Sequence, residues 1–120
     1  PLASARRIVG KNQLIGCSTH SLKQAVEAER EGADYLGFGP IFATPTKPTY
    51  EPRGFGEIAQ VMKRIQIPVV CIGGIDRSNI TQVVQAGAER VAVVRAIFSS
   101  DNPYQSAVEL KEFMNGQHKN

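Results

Sequence analysis

Four short stretches of this sequence carry side chains or bare backbone that can grip an anion. The richest is Gly39-Pro40-Ile41-Phe42-Ala43-Thr44-Pro45-Thr46-Lys47-Pro48, which sets two hydroxyls, Thr44 and Thr46, beside the Lys47 amine. Pro45 and Pro48 hold φ near about −65°, so the segment loses less entropy when it closes over a ligand. Hydroxyl donors and an ammonium on a stiffened loop suit phosphate. A surface turn with a solvated lysine fits the same residues. The other three stretches are Ser18-Thr19-His20, Gly73-Gly74 and Val94-Arg95-Ala96. Val94-Arg95-Ala96 stands at the start of a short helical turn; glycine lets a phosphate approach backbone N–H groups closely, and a helix N-terminus adds partial positive charge. A Gly-Gly pair also suits a plain turn. His20 can act as a general acid or base, or it can simply precede a capping serine. Ser18 lacks the Asp–His pattern that activates a nucleophilic serine. The acidic residues fall mostly on predicted helix faces and starts, and no carboxylate pair at these loops resembles a metal site.

Each stretch must be positioned by the element before it. The spacing predicts a helix over Leu2 to Val9 stopped by Gly10. A strand follows over Leu14-Ile15-Gly16-Cys17, and Ser18, Thr19 and His20 make the turn after it. Ser21 with Gln24 forms a capping box for a helix that ends at Gly32. Tyr35-Leu36-Gly37-Phe38 is apolar and uncharged, which suits a strand covered on both faces. Gly54 leads into a helix whose stripe is Ile58, Val61, Met62, Ile65. Val69-Val70-Cys71-Ile72 is the third strand. Asp76 or Ser78 caps the next helix, which buries Ile80, Val83 and Val84. Val91-Ala92-Val93-Val94 is the fourth strand, and Ala96 to Phe98 makes one turn. Asn102 caps a last helix with Pro103 at its first position, and Ala107, Leu110 and Met114 line its inner face. The polar tail 115–120 is expected to fray.

Short apolar strands separated by helices mean a parallel sheet. An internal echo supports this: Gly32-Ala33-Asp34 enters the second strand and Gly87-Ala88-Glu89 the fourth, followed by Ile41-Phe42 and Ile97-Phe98. The fold class is α/β, one segment over 1–120, a (βα)4 half of a TIM-type (β/α)8 barrel. A whole barrel needs eight strands and roughly 200–250 residues. A flavodoxin-like sheet is the structural alternative. In both, ligands bind beyond the C-terminal ends of the strands, where all four stretches fall.

Composition excludes some functions. The chain has 120 residues, 42% hydrophobic and 21% charged, which suffices for one packed core. Its net charge of +3 is scattered, so nucleic acid is not a predicted partner. The apolar run Ile65 to Ile75 is interrupted and too short to cross a bilayer. Cys17 and Cys71 lie in predicted strands, as buried reduced thiols of a cytoplasmic protein.

The strings Ile15-Gly16-Cys17-Ser18-Thr19-His20-Ser21, Gly32-Ala33-Asp34-Tyr35, Gly39-Pro40-Ile41-Phe42 with Thr44-Pro45-Thr46-Lys47, Ile72-Gly73-Gly74-Ile75 and Gly87-Ala88 through Ala96-Ile97 resemble the thiamine-phosphate synthase family, over the first residues to about Met114. The resemblance implies the C-terminal half of an α/β barrel and a transferase. That family joins hydroxymethylpyrimidine diphosphate to thiazole phosphate, giving thiamine phosphate and pyrophosphate, with Mg²⁺ aiding departure of the pyrophosphate. By position, Ser18 would bond the pyrimidine diphosphate, and Thr44, Pro45 and Thr46 would line the thiazole-phosphate site. Lys47 would face the pyrophosphate, and Gly74 would offer a backbone N–H to the thiazole phosphate. Val94 and Arg95 would supply a second phosphate contact. Many members have serine where this chain has Arg95; a backbone contact survives that change, and a guanidinium can still hold phosphate. Lys47 and Ser18 would be the catalytic pair. The resemblance puts the Mg²⁺ ligands before Pro1, so this segment by itself is expected not to turn over. It is expected to pair with itself or with an N-terminal half. A thiazole tautomerase, with a histidine at the position of His20, and a non-catalytic phosphate-binding module are the rival functions.

Overall fold

A computed structural model describes residues 1–42 and 55–118. Helix α1 (Leu2–Val9) precedes strand β1 (Gly16–Thr19), then come α2 (Leu22–Arg30), β2 (Tyr35–Phe38), α3 (Phe55–Arg64) and β3 (Val69–Ile72). The chain continues through α4 (Ile80–Gln85), β4 (Val91–Ala92), the single turn α5 (Arg95–Phe98) and α6 (Pro103–His118). The strands are all parallel in the order β1-β2-β3-β4. Each strand lies beside its sequence neighbour, so the sheet winds in one direction, as in a barrel. A doubly wound sheet would reverse its order at a switch point. The half-barrel expectation holds.

Strand alternation explains the core. Leu36, Phe38, Val69 and Cys71 point one way and are at most 1% exposed. Ala25 and Ala28 of α2, Ile58 and Val61 of α3, Ile80 and Val83 of α4 and Leu110 of α6 cover them. The stripe predicted for α3 is therefore its buried face, and each fully buried isoleucine stabilises the fold by about 2 kcal/mol. The opposite row holds Gly16 and Ser18, Tyr35 and Gly37, Val70 and Ile72, and Ala92. Here Tyr35 and Ile72 are each 41% exposed. The expectation that β2 is covered on both faces fails among the described residues: helices pack on one face only. Tyr35 lies across Gly16, its register partner, where any Cβ would collide with the ring.

Other boundaries also shift. β1 starts and ends two residues later than its apolar run, because its ladder follows β2 from Gly16↔Tyr35 to Thr19↔Phe38. Ser18 and Thr19 are thus strand residues rather than a turn, and Leu14 stays exposed. β4 stops at Ala92, because its pairing with β3 ends at Ile72↔Ala92. α6 continues past Met114 to His118, so Asn115 and Gly116 are helical rather than frayed. The Ser21 cap accepts from Gln24 N at 3.1 Å, and Gln24 Oε1 in turn accepts from His20 N at 2.8 Å. Asn102 Oδ1 accepts from Gln105 N at 3.0 Å, as predicted for that cap.

The N-terminal ends of the strands are tied by two carboxylates. Asp34 Oδ2 accepts from Ile15 N and from Arg6 Nη2, both at 2.7 Å. Arg6 also donates to the Gln13 and Gly32 carbonyls at 2.7 and 3.2 Å. Glu29 Oε2 accepts from Gln66 N at 2.7 Å and Ile67 N at 3.2 Å, tying α2 to the segment that enters β3.

Candidate functional site

Four parallel strands bring their C-terminal ends, Thr19, Phe38, Ile72 and Ala92, to one rim. Ser18 is exposed on the open face opposite Gly37, which has no side chain to crowd it. Thr19 faces the helices and is 2% exposed, its hydroxyl donating to the Gly37 carbonyl at 2.8 Å. His20 Nδ1 lies 2.7 Å from the Gly39 carbonyl. A carbonyl only accepts, so Nδ1 carries the proton, and in the neutral ring Nε2 is the basic nitrogen.

The loops after β2 and β3 are stitched together through their backbones. Ile41 N donates to the Ile72 carbonyl at 3.1 Å and Phe42 N to the Gly73 carbonyl at 3.0 Å. The contact leaves no room for side chains. A Cβ on Gly73 would fall 2.5 Å from Pro40 Cα, and one on Gly39 would strike the Ile72 carbonyl oxygen. Gly73 and Gly74 hold φ of 109° and 67°, which favours glycine at both positions. Thr44, Pro45, Thr46 and Lys47 lie outside the described residues, and the described chain reaches them from Phe42, beside Gly73.

The loop after β3 differs from expectation. α4 begins only at Ile80, with Asn79 at its N-cap and no side-chain capping bond. Asp76 does not cap the helix: its carboxylate accepts from Ser78 N at 2.9 Å and from the Ser78 hydroxyl, which closes a turn ahead of α4. The glycines are therefore followed by a turn, and any anion donors there are loop amides rather than a helix terminus. Asn79 bridges this turn, donating to the Gly74 carbonyl at 2.9 Å and accepting from Asp76 N at 2.8 Å. Sequence reasoning missed Asn79; the signal was an amide side chain five residues after a glycine pair, just ahead of an apolar helical stripe.

Val94 and Arg95 sit at the next position around the rim. Val94 is 59% exposed as the N-cap of α5, and Arg95 opens that single turn with its side chain exposed. Register pairs Ile72 with Ala92, so Gly74 and Val94 each follow their strand pair by two residues. The structure thus gathers Ser18, His20, Gly74, Val94 and Arg95 on one end of the sheet. Among the described residues, no three His, Cys, Asp or Glu side chains group to hold a metal ion. No described helix is long and apolar enough to cross a membrane.

Comparison with known proteins gives the family and the fold of this chain. A family profile described as thiamine monophosphate synthase matches residues 1–97. The thiamine-phosphate synthase of Gloeobacter violaceus is 47% identical over 115 residues, covering 96% of this chain and 34% of that protein. The thiamine-phosphate synthase of Chloroflexus aurantiacus is 46% identical over 112 residues, covering 92% of this chain and 51% of that protein. The solved structure of the thiamine phosphate pyrophosphorylase from Pyrococcus furiosus superimposes with a TM-score of 0.89 at 33% identity. That match covers 98% of this chain and 55% of the other. The chain thus spans between about a third and about half the length of these relatives.

Proposed function

The chain belongs to the thiamine monophosphate synthase family, and from that premise we propose that it forms the thiazole-phosphate side of a thiamine-phosphate synthase. The reaction is a transfer: hydroxymethylpyrimidine diphosphate and thiazole phosphate give thiamine phosphate and pyrophosphate. In this reading the Gly74 N–H takes the thiazole phosphate, and Val94 and Arg95 bound it on the neighbouring loop. Thr44, Pro45 and Thr46 line the same phosphate. Ser18, beside the bare backbone of Gly37, donates to the pyrimidine diphosphate, and Lys47 faces the departing pyrophosphate.

The observation that carries this is the stitching of the β2 and β3 loops, Ile41 to Ile72 and Phe42 to Gly73. It brings Phe42, from which the chain enters the Thr44-Pro45-Thr46-Lys47 segment, against the glycine pair, which supports reading the two loops as one site. When the pyrimidine C–O bond ionises, negative charge grows on the pyrophosphate. In this reading the Lys47 cation and the Ser18 hydroxyl lower that barrier without a covalent nucleophile. Mg²⁺ would supply further charge neutralisation. Among the described residues, no three His, Cys, Asp or Glu side chains group to hold it. The free thiols Cys17 and Cys71 suit a cytoplasmic setting.

Isothermal titration of the chain with thiazole phosphate and with pyrophosphate tests the reading. Wild type is expected to bind both, and Lys47→Ala to lose pyrophosphate selectively. Wild type that binds neither would overturn it. The half-exposed sheet face with Tyr35 and Ile72 is read as a pairing surface for a second copy of this chain; sedimentation showing a monomer at tens of micromolar would remove that part.

A further inference from the structure

The side chain of Asn79 stands where a helix cap belongs, yet it bonds none of the helix's own N–H groups. A capping bond there contributes about 1 kcal/mol in other helices. The amide instead turns back to the glycine loop, Nδ2 on the Gly74 carbonyl and Oδ1 on the Asp76 N–H. The partners fix the amide's orientation, since a carbonyl only accepts and an N–H only donates.

Planar trans peptides point their C=O and N–H in opposite directions. The Gly73–Gly74 peptide is held by Phe42 N–H on the Gly73 carbonyl, which aims the Gly74 N–H away from Phe42. The Gly74–Ile75 peptide is held by Asn79 on the Gly74 carbonyl, which aims the Ile75 N–H away from Asn79. Among the described residues, neither the Gly74 nor the Ile75 N–H meets a protein acceptor. Ile75 itself is 4% exposed and anchors the turn in the core. Two glycines at positive φ have many accessible conformations, so something beyond their own preference must select this one.

We propose that Asn79 is a positioning residue: it orients the Gly74–Ile75 peptide so that the Ile75 N–H joins the Gly74 N–H on the phosphate of the thiazole substrate. This rests on the thiazole-phosphate reading above and adds a second backbone donor to it.

Asn79→Ser separates positioning from folding, because serine can cap α4 but is too short to bridge Gly74 and Asp76. Its melting temperature is expected to stay near wild type. Its affinity for thiazole phosphate is expected to fall about tenfold, with affinity for the unphosphorylated thiazole alcohol unchanged. Wild-type affinity in the variant, or equal loss for both ligands together with a lower melting temperature, would overturn the proposal. A second readout needs no variant. Titrating ¹⁵N-labelled wild type with thiazole phosphate should shift the Gly74 and Ile75 amide resonances together. A response from Gly74 with none from Ile75 refutes the orientation while sparing the site. No binding by wild type at all brings down the site reading and this one with it.

Discussion

At the N-terminal ends of the strands, carboxylates tie one segment to another through backbone N–H groups; at the C-terminal ends, side-chain donors make the ties through backbone carbonyls. Asp34 takes the Ile15 N–H, and Glu29 takes those of Gln66 and Ile67. On the rim, Thr19, His20 and Asn79 donate to the carbonyls of Gly37, Gly39 and Gly74. One end consumes backbone donors with negative charge. The other consumes backbone carbonyls in these ties, which leaves the Gly74 and Ile75 N–H groups without a protein acceptor among the described residues. Asp76, the acidic side chain in the glycine turn, is occupied by Ser78. An anion preference can therefore come from which half of each peptide is already used, with little help from a scattered net charge of +3.

Variants can break this contrast at either end. The largest effect is expected from Gly73→Ala, which forces a Cβ against Pro40 at a φ of 109°. Strain and collision together should cost about 3 kcal/mol and remove phosphate binding, read by chemical denaturation and titration. Asp34→Ala should lower the melting temperature while leaving thiazole-phosphate affinity intact. Its carboxyl is held below the ordinary value of 3.8, first by the Arg6 hydrogen bond and then by the Ile15 N–H. A lowered folded-state value means this contribution is complete above about pH 4 and is lost as pH falls through the folded value. Melting curves of wild type and Asp34→Ala should thus converge in acid; a constant gap would contradict the Arg6–Asp34 assignment. The smallest effect is expected from Glu29→Ala, about 1 kcal/mol in denaturant, again with binding unchanged. A binding loss in either carboxylate variant without unfolding would erase the distinction between the two ends.

The elements were legible where local pattern and tertiary contact agree. β2 and β3 run over the residues their apolar runs mark, and the α3 stripe Ile58, Val61, Ile65 is the buried face. The echo Gly32-Ala33 and Gly87-Ala88 is a repeated helix exit. Both glycines have positive φ, and both alanines are buried with N–H groups bonded back to Ala28 and Val83. The acids that follow diverge, Asp34 bonded to Arg6 and Ile15, Glu89 3.7 Å from Arg90. β1 and β4 were misplaced because edge strands end where their single neighbour ends, and that is not written in their own residues. The rim was visible as residue types, Ser18, Gly74, Arg95, but not as peptide orientations. Asn79 looks like an ordinary cap until the direction of its amide is known.

Cys71 lies at the centre of the sheet, 1% exposed, and burial pushes its thiol up to about 11. Cys17 sits half-buried on the edge strand β1. A thiol reagent at neutral pH reaches the first only when the centre opens, whereas the second is already partly open to it. The protein therefore carries a chemical clock with its own internal reference, and labelling of Cys71 relative to Cys17 would time the opening of the middle of the sheet.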